Sequence, residues 1–195
     1  MTVEEPGGSA AGVHVIESSL IGVAGFGAVF ASFAAAPGWR GVAGAVLATL
    51  MLAIAIIDRR RLTIPDQLSA LAFIAGVAAV GVRAEAPPGE AIVHALLRAA
   101  VMFGAFFAFR AGYRRLRGME GMGLGDVKLA AVAGVWLDWA ALPIAVNIAA
   151  LSALASALLG SLQGKAYSPT SKLPFGAFFA PAIWICWLLA TCRGA

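Results

Sequence analysis

Charge is what this sequence has least of. Only 12% of its 195 residues are Asp, Glu, Lys or Arg, while 61% are hydrophobic, against roughly 25% charged in a soluble globular domain. So little charge cannot cover a water-facing surface, which excludes a soluble enzyme. The net charge of +4 is therefore a question of which side of a bilayer the Lys and Arg occupy, and no nucleic-acid partner is expected. Cysteine is almost absent. Cys186 and Cys192, six apart in one apolar run, can build neither a disulfide framework nor a Cys-x-x-Cys metal site, which leaves two thiols facing lipid or bundle. Also missing are His-Glu-x-x-His, Gly-x-Ser-x-Gly and a phosphate-binding glycine loop, so neither a metal nor a cofactor is expected. The first apolar run follows Glu4 and Glu5 with no basic residue before it, unlike a cleaved signal peptide.

What the chain has in abundance is apolar length. Runs able to cross a core of roughly 30 Å at about 1.5 Å per residue fall at 18–36, 41–57, 67–82, 90–109, 126–141, 143–162 and 174–192. The fold class this predicts is all-α, a polytopic membrane bundle of about seven transmembrane helices, with six to eight possible. Residues 1–17 form a short polar tail and 18–195 a single transmembrane domain. The breaks fall at Pro37-Gly38, at Arg59-Arg60-Arg61 with Pro65, at Pro87-Pro88-Gly89, over the Arg-rich and Gly-rich 110–125, at Pro143, and from Gly164 to Pro174.

Sidedness follows from the basic residues. If the 58–66 loop is cytoplasmic, the alternate loops on that side carry Arg59, Arg60, Arg61, Arg110, Arg114, Arg115, Arg117, Lys128, Lys165 and Lys172. The other side carries Arg40, Arg83 and Arg193, and Arg98 lies within a span. Ten against three puts the N-terminus in the cytoplasm and the C-terminus outside. Trp136 and Trp139 then sit at the outer end of the fifth run, as interfacial anchors. Arg98 is expected to reach toward the interface, and His94, four residues earlier, to be a satisfied bundle residue. Ser152, Ser156 and Gly160 repeat at intervals of four and predict a helix-packing face.

Two acids stand apart from the rest. Asp126 follows Gly121, Gly123 and Gly125 and opens the fifth run, where unpaired N–H groups and the macrodipole favour a negative charge. The glycines are expected to take positive φ angles and to let a partner approach closely. Asp58 ends the second run, after Met51-Leu-Ala-Ile-Ala-Ile-Ile57. Both therefore arrive at one depth on one face of the membrane. If the two helices pack together, this is a carboxylate pair. Like charges a few ångströms apart hold one shared proton over a wide pH range. The ionised member can take a proton from water while the protonated one polarises a carbonyl and protonates the leaving amine. Asp66, after Pro65, is expected to cap a helix, and Asp138 to lie on the opposite side of the membrane.

These residues resemble a known family. Met122-Gly-Leu-Gly-Asp-Val-Lys-Leu129, with Glu120 before it, resembles the Gly-x-Gly-Asp signature of the type IV prepilin peptidases, aspartic proteases of the bacterial inner membrane. Asp58, followed after five residues by Ile64-Pro65-Asp66, is similar to the segment bearing that family's first catalytic aspartate, and Lys172-Leu-Pro-Phe-Gly176 to its Pro-Phe-Gly element. The resemblance covers about residues 45 to 190. It implies catalysis by Asp58 and Asp126, with Gly123, Gly125, Lys128, Pro174, Phe175 and Gly176 binding substrate or supporting the site. It also implies prepilin or pseudopilin substrates, cut on the cytoplasmic side after a glycine that precedes an apolar helix. Ala177 stands where family members often have a proline. Bifunctional members carry a cytosolic insert after the first span, usually with paired Cys-x-x-Cys motifs, and also N-methylate the new terminus. Here only about four residues separate the first two runs, so methylation is not expected. The competing readings are a small transporter or channel subunit whose acids carry protons or cations, which should lie near the midplane on interrupted helices, and a non-catalytic assembly protein.

Overall fold

Every apolar run becomes a helix, and the chain's own stop signals set most of the boundaries. In a computed structural model that describes residues 7–83, 88–119, 121–164 and 174–193, the elements are α1 (Gly7–Ala35), α2 (Trp39–Arg61), α3 (Asp66–Arg83), α4 (Pro88–Arg117), α5 (Leu124–Trp136), α6 (Ala141–Leu162) and α7 (Phe175–Arg193). The described residues contain no strand. α2 stops where Leu62 takes a left-handed conformation, φ 53°, and donates its N–H to the Asp58 carbonyl. Pro65 then disfavours helix for the residue before it, and α3 begins at once with an acid in its first turn. α4 runs to Arg117, beyond the expected 109, because nothing from Arg110 onward breaks a helix. It ends at Gly118, φ 70°, whose N–H bonds the Arg114 carbonyl at 2.9 Å, an αL stop that suits glycine.

Three further boundaries differ from the sequence reading. α1 begins at Gly7 and so reaches back into the segment read as a tail. α5 ends at Trp136, five residues early. The Asp138 carboxylate accepts the Ala141 N–H at 2.9 Å and starts α6 there, which puts Pro143 in a first turn, where no intrahelical N–H bond is lost. Pro143 is thus inside α6 and does not mark its start.

Among the described residues, four helices are long and apolar enough to cross a membrane: Trp39–Arg61, Gly89–Arg117, Ala141–Leu162 and Phe175–Arg193. Ser19–Ala35 and Asp66–Val82 are shorter apolar stretches. α5, at 13 residues, is only about 20 Å long and cannot span alone. It lies in the middle instead, packed on α4, α3 and α7, while α2 packs on α1, α3 and α7, and α6 on α7. Val127, Leu129, Ala130, Val132, Ala133 and Val135 of α5 are all buried, as befits a helix that is apolar on every side.

Lipid is as apolar as leucine, so these helices are held by close packing. A Cβ added to Gly134 of α5 would lie 2.6 Å from Ala99 Cα in α4; the two backbones touch there. Gly44 of α2 sits under the Trp187 ring, and Gly76 of α3 under the Trp136 indole. Trp136 is consequently not an interfacial anchor. It is buried, and its indole N–H donates to the Ala72 carbonyl at 2.8 Å. Trp139 is exposed. Arg98 likewise turns inward: its Nε donates to the Gly134 carbonyl at 3.1 Å, near the C-terminus of α5, where carbonyls lack intrahelical partners. His94 lies on the exposed side of α4. On α6 the packed face includes Ala141, Ala145, Ala149, Ala153 and Gly160, so of the expected stripe Gly160 is packed while Ser152 and Ser156 face outward. Both readings contained small residues every four positions, and alanine outcompetes serine because it packs without leaving a hydroxyl to satisfy. Cys186 is buried and Cys192 exposed, both free.

Candidate active site

The two acids stand at the ends of two different helices. Asp58 occupies the last turn of α2, where α2 meets the first turn of α7. The first N–H groups of a helix have no partner within it, and one of these, Ala177 N–H, donates to Asp58 Oδ2 at 2.9 Å. A carboxylate from α2 therefore caps α7, with the positive end of the α7 dipole behind it. This approach requires Gly176. A Cβ there would lie 2.9 Å from Asp58 Oδ2 and 2.6 Å from Ile64 Cδ1. The Pro-Phe-Gly run thus divides its work. Pro174 precedes the helix, Phe175 packs its ring on Phe106 and Phe179, and Gly176 admits the carboxylate.

Ile64 joins the first acid to the second. The left-handed turn at Leu62 brings Ile64 back over the helix ends, where it is buried against Gly176 on one side and Gly125 on the other. A Cβ on Gly125 would lie 2.8 Å from Ile64 Cβ. The next residue is Asp126, in the first turn of α5, so Ile64 packs on the backbone beside each acid. Asp58 is 5% and Asp126 9% exposed. Asp126 Oδ1 is buried with no hydrogen-bond partner among the described residues. The glycines do not take positive φ, as their sequence suggested. Gly123 is extended, φ −72° and ψ 153°, and Gly125 is helical. Gly118 holds the left-handed angle in this loop, while Gly125 and Gly121 serve close approach, to Ile64 and to the Tyr113 ring. At Gly123 an added Cβ would have ordinary room, 3.6 Å from Asp126 Oδ2.

Around this pair lie residues whose tasks were not legible in advance. Lys128 Nζ donates to Asp66 Oδ1 at 2.6 Å, an exposed ion pair that ties the first turn of α5 to the start of α3. Asp66 is therefore more than a helix cap. Arg110 Nε donates to the Met122 carbonyl at 3.0 Å, and Tyr113 packs on Gly121. Together they fasten the glycine loop to the last turns of α4. Arg110 and Tyr113 carry no motif signal, and only the helical extension of α4 past residue 109 could have placed them beside the loop; Ile64 stands in the first motif, but nothing in the sequence gives it this bridging place. Glu120, Lys172 and Leu173 lie outside the described residues. Among the described residues, no three His, Cys, Asp or Glu side chains are grouped as metal ligands would be.

The arrangement, two buried carboxylates from separate helices held by a glycine loop and a Pro-Phe-Gly turn, has relatives. Residues 45–158 match the type IV leader peptidase family. The chain is 34% identical over 151 residues to a prepilin leader peptidase/N-methyltransferase of Aeromonas salmonicida, which covers 76% of this chain and 50% of that protein. It is 40% identical over 93 residues to the leader peptidase HopD of Escherichia coli, which covers 48% of this chain and 60% of that one. A similar likeness, 34% over 145 residues, links it to a prepilin leader peptidase/N-methyltransferase of Burkholderia pseudomallei, covering 72% of this chain and 45% of that protein. The chain thus spans about half the length of the prepilin leader peptidase/N-methyltransferases it matches. No solved structure matches it. With its glycine loop and both acids inside a match that takes in more than half of its residues, the chain belongs to the type IV leader peptidase family.

Proposed function

We propose that this protein is a membrane aspartic endopeptidase that removes the leader peptide from type IV prepilins or pseudopilins, with Asp58 and Asp126 activating water at the cytoplasmic face of the bacterial inner membrane. One observation supports the reading. Two buried carboxylates from different helices stand beside the contacts that Ile64 makes with Gly176 and Gly125, and one oxygen of Asp126 has no hydrogen-bond partner among the described residues. A buried acid oxygen with nothing to bond is costly unless it serves a ligand, and water or a peptide carbonyl is the ligand that hydrolysis supplies. The ionised acid of the pair takes a proton from the attacking water. The protonated one polarises the scissile carbonyl and then protonates the leaving amine. No nucleophilic side chain is required.

The supporting residues follow from the same geometry. Gly125 and Gly176 leave space for Ile64 and the acids, and Phe175 anchors the first turn of α7. Gly123 and Pro174 set the backbone entering α5 and α7, and Lys128 fixes α5 against α3 through Asp66. Both acids lie in the terminal turns of their helices, which favours a substrate reaching in from the membrane surface over the midplane site expected of a transporter. Methylation of the product is not part of the proposal, since only residues 36–38 join α1 to α2. The experiment is to incubate purified protein with a candidate prepilin and to sequence the new N-terminus. Cleavage before the apolar helix by the wild type is expected, with loss of activity in Asp58→Asn and in Asp126→Asn while both variants still insert. Substantial processing by either variant would overturn the dyad.

A further inference from the structure

At the end of the bundle away from the two acids lies a shallow open recess, walled by Trp39, Arg40, Val80, Trp136, Trp187 and Thr191 among others. Its origin is the shortness of α5, which stops at Trp136 and leaves space between α2, α3 and α7. The chemistry of its wall is uneven. No acid lines it, and Arg40 is its single charged group. The other strong polar groups are engaged: the Trp136 N–H bonds the Ala72 carbonyl and the Thr191 hydroxyl bonds the Trp187 carbonyl. Arg40 makes no ion pair among the described residues. It stands in the first turn of α2, where the macrodipole adds to its positive charge. Trp39, beside it, is exposed, and Val42 and Val46 continue an exposed apolar track along α2.

We propose that this recess binds an anionic phospholipid, its phosphate on Arg40 and its glycerol and upper acyl chain against the indoles and the Val42–Val46 track. A guanidinium presents a fork that matches phosphate oxygens, tryptophan favours the head-group level, and the adjoining exposed valines suit an acyl chain and not a water-soluble anion. The site is independent of the carboxylate pair and of the reaction assigned to it.

The test is native mass spectrometry of the full chain released from detergent with added phosphatidylglycerol or phosphatidylcholine. Phosphatidylglycerol should remain bound in preference to phosphatidylcholine. Arg40→Gln should lower that binding about fivefold, the effect of one basic residue at a lipid surface. Arg40→Lys should keep most of it, and Val80→Phe, which fills the recess without touching the charge, should lower it too. Arg193→Gln, a cation at the same end but outside the recess, should leave binding unchanged. Equal retention of the two lipids, an unaltered Arg40→Gln, or an equal loss in Arg193→Gln would overturn the proposal. So would competition by free glycerol 3-phosphate at the lipid's own concentration, which would mark a site for a soluble phosphate.

Discussion

A single methyl group separates a working first turn of α7 from a blocked one. Alanine at position 176 would put its Cβ within 2.9 Å of Asp58 Oδ2 and 2.6 Å of Ile64 Cδ1, so α7 must draw back and the Ala177 N–H must leave the carboxylate. Misplacement of reacting groups by about 1 Å is worth about 100-fold in rate. Gly176→Ala is therefore expected to reduce cleavage of a prepilin by about that factor while the protein still inserts and elutes normally, measured by initial rates on purified variants. Asp58→Asn and Asp126→Asn should each lose at least about 100-fold, the usual contribution of a general acid or base. The other two acids supply the contrast. Asp66 holds Lys128 in an exposed pair, worth about 0.2–1 kcal/mol, and Asp138 caps the first turn of α6, worth about 1 kcal/mol. Asp66→Asn and Asp138→Ala should thus lower thermal stability modestly and leave cleavage largely intact; a loss in either equal to that of Asp58→Asn would mean that the wrong carboxylates have been paired.

At the scale of the elements, everything depends on α5 being held at the right height. Its own length cannot do this, since about 20 Å of helix does not span a core of roughly 30 Å, and the work falls to α4. Gly134 meets the Ala99 backbone, Arg98 takes the Gly134 carbonyl, and Arg110 holds the loop at the other end through Met122. Gly134→Ala forces two helix backbones apart and should cost about 1–3 kcal/mol, seen as a lower unfolding temperature in detergent together with reduced cleavage. Gly104→Ala on α4 meets nothing within 4 Å and should be neutral or stabilising by about 0.5–1 kcal/mol. Equal effects of the two would show that the α4–α5 contact does not position the site. These contacts also mark the limit of what the sequence disclosed. Hydropathy gave the seven helices nearly in place, because apolar length is a property of consecutive residues. The acids were visible because charge at the end of an apolar run is rare. Arg98, Arg110, Tyr113 and Trp136 were misread or missed because their partners lie on other helices, and the pairing of helices leaves no trace in local periodicity. On α6 Gly160 is packed as expected but the two serines are not, for a related reason: alanine and serine stripes adjoin there, and only the position of α7 selects between them.

For the whole molecule, the pairing of helix ends fixes which segments share a side. Asp58 near the C-terminus of α2 bonds Ala177 near the N-terminus of α7, and α5 begins at the same level with Asp126. The Arg59–Arg61 run and Arg110 to Arg117 at the end of α4 accordingly lie at the acid end, whereas Arg40 at the start of α2 and Arg193 at the end of α7 lie at the other. The excess of basic residues thus falls on the side of the carboxylates, and from the positive-inside tendency we propose that this side is cytoplasmic and the C-terminal end of α7 external. The two native thiols offer a probe, because Cys192 is exposed at the end of α7 while Cys186 is buried within it. A membrane-impermeant maleimide added to spheroplasts should label wild-type protein through Cys192, with the signal lost in Cys192→Ser. In that Cys192→Ser background, Arg115→Cys should be labelled only after the inner membrane is permeabilised. The reverse pattern, with residue 115 labelled from outside and Cys192 protected until permeabilisation, would put both acids on the outer face. It would exclude cleavage of leader peptides that are still in the cytoplasm.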